Sequence, residues 1–175
     1  RDFRHIVPAY HVAGWPAFRT LVGIQENLVR DNWHNIFRNN DIRLVFEHHD
    51  HIYKRTKTIG DCEDEVRNEL HCEYGGNARD GVIYMGGGAW GSENSRSSES
   101  RWYLDETVED NHNFVVVEIT NNYRKSTAIG EDGEEIDSFT DYVFLDPPEA
   151  LPADVAEESF TARWEEVEGA EDYLL

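Results

Sequence analysis

The stretch VFEHHDHIYKRT, residues 45–56, joins the end of an apolar run to a cluster of imidazoles and charged groups. The run 42–46 is short and rich in β-branched and aromatic residues, which is typical of a buried strand. An open α/β sheet binds its ligands at the carboxyl ends of its strands. His49 and His51 follow this strand, so they can face one metal ion or two adjacent ions. A solvated His-rich turn is the alternative interpretation.

A second histidine follows an earlier strand. Residues 3–10 are predicted to form a short strand that delivers His11 into a turn marked by Gly14 and Pro16. His11 precedes His49 by 38 residues. Because both motifs come at strand ends, we expect His11, His49 and His51 to converge. Alternatively, His11 caps the turn by hydrogen bonding to the backbone.

The segment between the two strands is predicted to be one amphipathic helix over residues 25–40, because its apolar side chains recur at helical spacing. His34 falls off this apolar stripe and is expected to be exposed. The strand, helix, strand order predicts a βαβ unit with a parallel strand pair. The stripe expected to face the core consists of Leu28, Val29, Trp33, Ile36 and Phe37.

Composition indicates a folded chain with a strongly solvated surface. Hydrophobic residues make up 39% and aromatic residues 12% of the chain, while the formal net charge is -20. Such a surface is a poor partner for nucleic acid or anionic membranes, and no apolar run is long enough to span a bilayer. The 13 arginines and 3 lysines against 36 acids suggest a salt-adapted or otherwise highly solvated protein.

The middle of the chain, from residue 59 to residue 80, is acidic and is predicted to be an irregular insertion loop. It contains Cys62 and Cys72, whose spacing is compatible with a local disulfide and equally with two free thiols. A strand over residues 81–85 then leads into the glycine run 86–88. A tight turn, with Trp90 packed beside the site, is preferred there to an anion-binding loop.

The later part of the chain shows only strand patterns. An Asp-Gly turn at residues 132–133 between two strand-like runs is a hairpin signal. These runs are predicted to form a meander that completes one sheet of a two-sheet sandwich. The runs are 114–120, 123–129 and then either 135–139 or 142–145.

The histidine cluster resembles the last metal-binding motif of the calcineurin-like metallophosphoesterases, especially the purple-acid-phosphatase branch. That motif reads Gly-His-x-His followed by x-Tyr-x-Arg, and His48 stands where the family has Gly. The resemblance covers residues 1–145, which would be the C-terminal half of the catalytic domain. The matching residues, in order, are His49, Asp50, His51, Tyr53 and Arg55.

The resemblance implies a dinuclear hydrolase of phosphate esters that holds two ions of iron, manganese or zinc. His11 and His49 would bind one ion and His51 the other. The remaining ligands, and the catalytic histidine that acts as acid toward the leaving group, would lie upstream of this chain. The residues that the resemblance places near the substrate are His48, Tyr53, Arg55 and Trp15.

The fold that this resemblance implies is mixed α/β (α+β): part of a four-layer αββα sandwich with a β-rich C-terminal meander. Residues 146–152 are predicted to be a linker, and residues 153–175 resemble the start of a fibronectin type III module, a β-sandwich too short to close here. The chain begins at Arg1 without a Met, so we expect a piece of a longer protein that continues into further domains at both ends. The resemblance favours an exported protein that is secreted, periplasmic or at the cell surface.

Two other functions remain open. One is an exported, β-rich module that binds carbohydrate or cations through exposed tryptophans at Trp15, Trp90 and Trp102. The other is a degenerate phosphoesterase-like domain that has lost its site, for which the only hint is His48 in place of Gly.

Overall fold

A computed structural model describes most of the chain: residues 5–19, 24–63, 71–74, 81–87, 90–92, 97–142, 150–156 and 159–164. Within these residues the fold is rich in strands and has one helix, so it belongs to the α+β class. The elements are β1 (Ala9–Val12), α1 (Ile24–Asn39), β2 (Leu44–His48), β3 (Tyr53–Thr56), β4 (Ile59–Glu63), β5 (His71–Tyr74), β6 (Ile83–Gly86), β7 (Leu104–Val108), β8 (Asn113–Ile119), β9 (Tyr123–Gly130), β10 (Glu135–Tyr142), β11 (Ala150–Ala156) and β12 (Ser159–Trp164).

The larger sheet has the strand order β1-β2-β6-β3-β7. Strands β1, β2 and β6 are parallel, whereas β3 runs antiparallel to both β6 and β7. The smaller sheet, in the order β10-β9-β8, is an antiparallel meander. The predicted parallel βαβ unit and the predicted meander are therefore confirmed.

The five-stranded sheet has a hydrophobic core on each face. Successive side chains of a strand point to opposite faces, so along β2 Val45 joins the core on the side of α1 and Leu44 joins the core shared with the smaller sheet. The layers are thus helix, sheet and sheet. The helix-side core contains Trp15, Phe37, Ile42, Val45, Ile59, Val82, Tyr84 and Tyr103. The core between the sheets contains Leu44, Tyr53, Ile83, Met85 and Ala128.

Helix α1 occupies almost the predicted residues, but its buried face is different. Leu28, Trp33 and Ile36 are exposed, so the predicted apolar stripe is wrong for these residues. His34, expected to be exposed, is only 2% exposed. The helix therefore packs through a face that is partly polar, and Phe37 is its main apolar contact with the core.

Burial of this polar face is possible because its groups have partners. Arg30, His34 and Phe37 recur at the spacing of one helix face. The two ring nitrogens of His34 lie 2.7 Å from the Tyr84 hydroxyl and 2.6 Å from the Gly60 carbonyl oxygen. A buried polar group that is hydrogen-bonded avoids the desolvation cost of an unpaired one. Spacing that counts only apolar residues cannot detect such a face.

Three further predictions about local structure need correction. Residues 5–8 are not part of a strand, so β1 is shorter than predicted. The segment predicted to be an irregular loop contains the antiparallel pair β4 and β5, whose register sets Cys62 opposite Cys72. The disulfide between them stays a prediction. Strand β11 begins at Ala150, inside the range predicted as linker. Residues 146–149 and 165–175 lie outside the described residues, and the division into domains stays a prediction.

Gly86 ends β6 where that strand meets β2, and its missing side chain permits the close approach. A Cβ atom at this position would lie 2.0 Å from the Glu47 carbonyl oxygen. We expect Gly86→Ala to lower the free energy of unfolding by about 1–3 kcal/mol, the usual cost of overpacking. Urea unfolding followed by circular dichroism measures this change.

The matched control for that substitution is Gly91→Asn. Gly91 has a φ of 72°, and a Cβ atom built there would have no other atom within 4 Å. Asn tolerates this backbone region better than most residues. The control should change the free energy of unfolding by less than about 0.5 kcal/mol. Equal stability of Gly86→Ala and Gly91→Asn would contradict the close contact between β2 and β6.

Candidate metal centre

The structure brings His11 and His49 together. His11 lies one residue before the end of β1, and His49 directly follows β2, its parallel neighbour. The centroids of the two imidazole rings are 4.7 Å apart, with an angle of 34° between the planes. Convergence of this pair, predicted from strand ends alone, is confirmed. The role of either ring as a metal ligand stays a prediction.

His51 lies two residues further along the same loop and is half-buried. Its Nδ1 atom is 3.1 Å from the Ser92 hydroxyl oxygen. Metal-binding histidines commonly hold their second nitrogen in such a hydrogen bond, which fixes the orientation of the ring. The convergence of His51 with His11 and His49, and its assignment to a second ion, stay predictions.

The backbone of the histidine loop is in an uncommon conformation. His49 has a φ of 79° and His51 a φ of 54°. A non-glycine residue in this region costs of order 1–3 kcal/mol, and such residues cluster at functional sites. Among the described residues with positive φ, His48 does not appear. The position at which the resembling family has glycine therefore adopts an ordinary strand conformation here.

Asp50 and Arg19 hold this loop in place. Asp50 is buried, and its carboxylate accepts a hydrogen bond of 2.5 Å from the backbone N–H of Ala17. Arg19 lies 3.5 Å from the same carboxylate and donates a hydrogen bond of 3.1 Å to the carbonyl oxygen of His49. The segment after β1 is thus tied to the segment after β2, and the two histidines are held side by side.

Glu47 makes a second connection between these segments. Its buried carboxylate accepts hydrogen bonds from the N–H groups of Gly14 and Trp15, at 2.9 and 3.0 Å, and from the Tyr10 hydroxyl at 3.0 Å. The Lys54 ammonium lies 2.5 Å from it and also donates to the Trp15 carbonyl oxygen. Burial, followed by the negative charge of Glu47, raises the pKa of Tyr10 far above its ordinary value. The phenol therefore keeps its proton and remains a donor.

Some of the residues predicted to lie near the substrate are buried and cannot contact a substrate. Trp15 and Tyr53 are fully buried, so neither side chain presents surface to a substrate. The expectation that Trp15 is exposed is wrong, because its ring packs against Tyr84 and Tyr103 in the helix-side core. His48 lines a cavity between the sheets. Its proximity to a substrate stays a prediction.

Arg55 connects the two sheets. Its guanidinium donates to both carboxylate oxygens of Asp137, at 2.7 and 3.2 Å, and also to Asp105. The Tyr53 hydroxyl donates to Asp137 at 2.6 Å. Partial burial raises the pKa of Asp137, but the hydrogen bonds from Arg55 and Tyr53 and the Arg55 charge outweigh it and hold the pKa below its ordinary value. A substrate role for Arg55 stays a prediction beside this structural one.

The donor set available for a metal is incomplete. Among the residues whose side chains are described, no group of three or more His, Cys, Asp or Glu side chains could hold a metal ion. Two imidazoles whose rings are 4.7 Å apart can both reach a shared ion through bonds of about 2.0–2.1 Å. The nearest carboxylates in sequence, Glu47 and Asp50, are already engaged by backbone N–H groups. The pair fits part of a metal site and needs further ligands.

Comparison with protein-family models finds no family that matches this chain, and comparison with curated proteins finds no match either. Among the described helical residues there is no helix with the length and apolar character needed to cross a membrane.

Proposed function

We propose that this chain carries part of the active site of a dinuclear metal-dependent phosphoesterase, resembling the purple acid phosphatases. His11 and His49 would hold one ion and His51 the other. The observation that carries this proposal is the pairing of His11 with His49 at the ends of adjacent parallel strands. The positive φ values of His49 and His51 support it, because strained residues in a well-anchored loop are typical of functional sites.

The helix, sheet and sheet layers are compatible with part of a four-layer αββα sandwich. The proposal requires further ligands, which the resemblance places before Arg1, and two ions of iron, manganese or zinc, which suit imidazole and carboxylate donors. When bound, such a pair of ions activates a water and stabilises an in-line phosphoryl transition state. The residues of this chain hold and orient the imidazoles, and Arg19 and Asp50 keep their loop in one conformation.

The substrate in this proposal is a phosphate ester of low net charge. With a formal net charge of -20, the protein surface repels polyanions such as nucleic acid. Export of the protein, and the continuation of β11 and β12 into a fibronectin type III module, belong to the same proposal.

A binding module remains the second candidate because Trp90 is 68% exposed. The exposure that this alternative expects is confirmed for Trp90, so the preferred prediction that Trp90 packs beside the site is wrong. Trp102 is instead partly buried against the helix-side core. An exposed aromatic ring is typical of surfaces that bind a ligand. A degenerate domain without catalysis is the third candidate.

The proposal predicts that the 175-residue chain binds Zn²⁺ through His11 and His49. Calorimetric titration should show weak binding that falls at least about tenfold in His11→Ala and in His49→Ala, because each loses one of few donors. His112→Ala is the control, since His112 precedes β8 and belongs to neither strand end of the pair. Hydrolysis of an aryl phosphate by this chain alone should be negligible.

Equal Zn²⁺ affinity in wild type, His11→Ala and His49→Ala would contradict a metal site shared by His11 and His49. A turnover in the usual enzymatic range of roughly 1–10³ per second by the chain alone would show that its ligand set is complete.

A further inference from the structure

The segment 60–81, between the start of β4 and the start of β6, begins and ends at one fixed point of the core. Ile59 and Val82 flank this segment, and both are fully buried. Each donates its backbone N–H to the carbonyl oxygen of the other, at 2.9 Å. The carbonyl oxygen of Gly60 accepts a hydrogen bond of 2.6 Å from the Nε2 atom of His34 on α1. The two ends of the segment are therefore held together before either strand of the β4–β5 pair continues outward.

Within this segment, the backbone places two cysteines directly opposite each other. Strands β4 and β5 are antiparallel, and Cys62 pairs with Cys72. Residues that are opposite each other in an antiparallel pair have Cα atoms about 4.5–5.5 Å apart. A disulfide requires Cα atoms about 4.4–6.8 Å apart. The register therefore meets the distance requirement for a disulfide without any movement of the backbone.

An irregularity in the strand pair sets this register. Ile59 pairs with Tyr74, and regular antiparallel pairing from there would place residue 62 opposite His71. Instead, β4 advances from 59 to 62 while β5 advances only from 74 to 72, so Cys62 lies opposite Cys72. A shift of one residue moves a side chain to the other face of a strand. Because β-bulges are specific features of a fold and not defects, this shift is evidence that the cysteine pairing is built into the hairpin.

The same register argues against a metal ion held by the two cysteines. The next pair along the strands is Glu63 opposite His71. Successive residues of a strand lie on opposite faces, so this pair belongs to the face opposite that of the cysteines. A structural zinc site needs four ligands, and the cysteine pair supplies two from its own face. The placement favours a bond between the cysteines.

We propose that Cys62 and Cys72 form a disulfide that closes the β4–β5 hairpin covalently. The bond forms by exchange with a small-molecule disulfide such as oxidised glutathione. One cysteine thiolate attacks that disulfide, which forms a mixed disulfide and releases one glutathione thiolate; the second cysteine thiolate attacks the mixed disulfide and releases the other. Two protein thiols are oxidised and one glutathione disulfide is reduced to two thiols, which take up the two protons.

The proposed disulfide agrees with the exported location proposed above, because disulfides persist in oxidising compartments. It does not rest on the metal site, since neither cysteine belongs to the histidine loop. A disulfide stabilises a fold by restricting the unfolded chain. By linkage, folding must favour formation of the bond by the same factor by which the bond favours folding.

The test compares the folded chain with the same chain in urea. The reduced 175-residue protein is equilibrated with mixtures of reduced and oxidised glutathione, quenched in acid, alkylated and analysed by mass spectrometry. The intramolecular disulfide should form in the folded chain at an oxidised-glutathione concentration at least about tenfold lower than in urea, because the fold already holds the two residues opposite each other. This comparison uses only the wild-type sequence, so it does not depend on the folding of any variant.

The double variant His71→Cys, Cys72→Ser is the matched control. It moves one thiol by one position, to the other face of β5, while the loop in the unfolded chain keeps almost the same length. In urea this variant should form its disulfide as readily as the wild type. When folded, which circular dichroism checks, it should lose the tenfold advantage.

Equal glutathione midpoints for the folded chain and the chain in urea would overturn the proposal, and so would an advantage that the control variant keeps. Thiols that resist alkylation only until a chelator removes zinc would assign the pair to a metal site. A product of twice the mass on a non-reducing gel would assign the cysteines to a bond between two copies. Either of these results would also overturn it. Zn²⁺ binding by His11 and His49 is measured separately, so failure of one proposal leaves the other standing.

Discussion

Replacement of Lys54 by methionine is expected to lower the free energy of unfolding by about 3–5 kcal/mol, the usual cost of removing one partner of a buried ion pair. The Lys54 ammonium and the Glu47 carboxylate are 2.5 Å apart, and both side chains are almost fully buried. Without the ammonium, the buried Glu47 carboxylate loses the positive charge that pairs with it. Total stabilities of folded proteins are about 5–15 kcal/mol. This single substitution should therefore remove a large part of the stability and strongly lower the midpoint of urea unfolding.

The double variant Glu47→Gln, Lys54→Met separates the charge effect from packing. It removes both charges, so it should recover a large part of the loss, and the double-mutant cycle should give a coupling energy of about 1–3 kcal/mol. Lys125→Met is the control for loss of a lysine in a strand of the smaller sheet. A cost below about 1 kcal/mol for Lys54→Met would contradict the role of this pair in the core.

Elements that bury apolar side chains in the core could be predicted from the sequence. The apolar run before His48 and the helical spacing before Asn39 predicted β2, α1 and their parallel unit, because apolar burial dominates both. Glu47 and His34 were missed for the same reason. Each of these side chains points into the core, but a prediction from apolar periodicity assigns polar residues to the exposed face. Their burial depends on partners far along the chain, such as Lys54 and Tyr84.

The candidate site was predictable only in its strand-end histidines. The rule that parallel strands end at one edge of the sheet was enough to pair His11 with His49. Arg19 and Asp50 hold the loop through contacts between residues 30 and 33 positions apart in the chain. The spacing of residues within one segment cannot predict such contacts. Trp15 was wrongly expected to be exposed because Gly14 and Pro16 mark a surface turn. Instead, hydrogen bonds from the N–H groups of Gly14 and Trp15 to the buried Glu47 carboxylate hold this turn against the core.

In the longer protein that the proposed function requires, His49→Ala should reduce phosphate-ester hydrolysis at least about 10²–10³-fold, comparable to the loss of one electrostatic stabiliser from an active site. His11→Ala should have a similar effect, because the two rings lie together. Both variants should unfold in urea at nearly the same midpoint as the wild type, since His11 is exposed and His49 is half-buried. Turnover of an aryl phosphate and metal content per protein are measured together.

His48→Gly is the informative control because it restores the residue that the resembling family has. His48 lines the cavity between the sheets, and its Nδ1 atom contacts the Gly87 carbonyl oxygen. Its removal should lower stability by about 0.5–1.5 kcal/mol, the net value of one hydrogen bond, and leave metal content unchanged. If His49→Ala kept full activity and metal while His48→Gly lost both, the ligand would be His48. The histidine register assigned from the spacing of His49 and His51 would then be wrong by one residue.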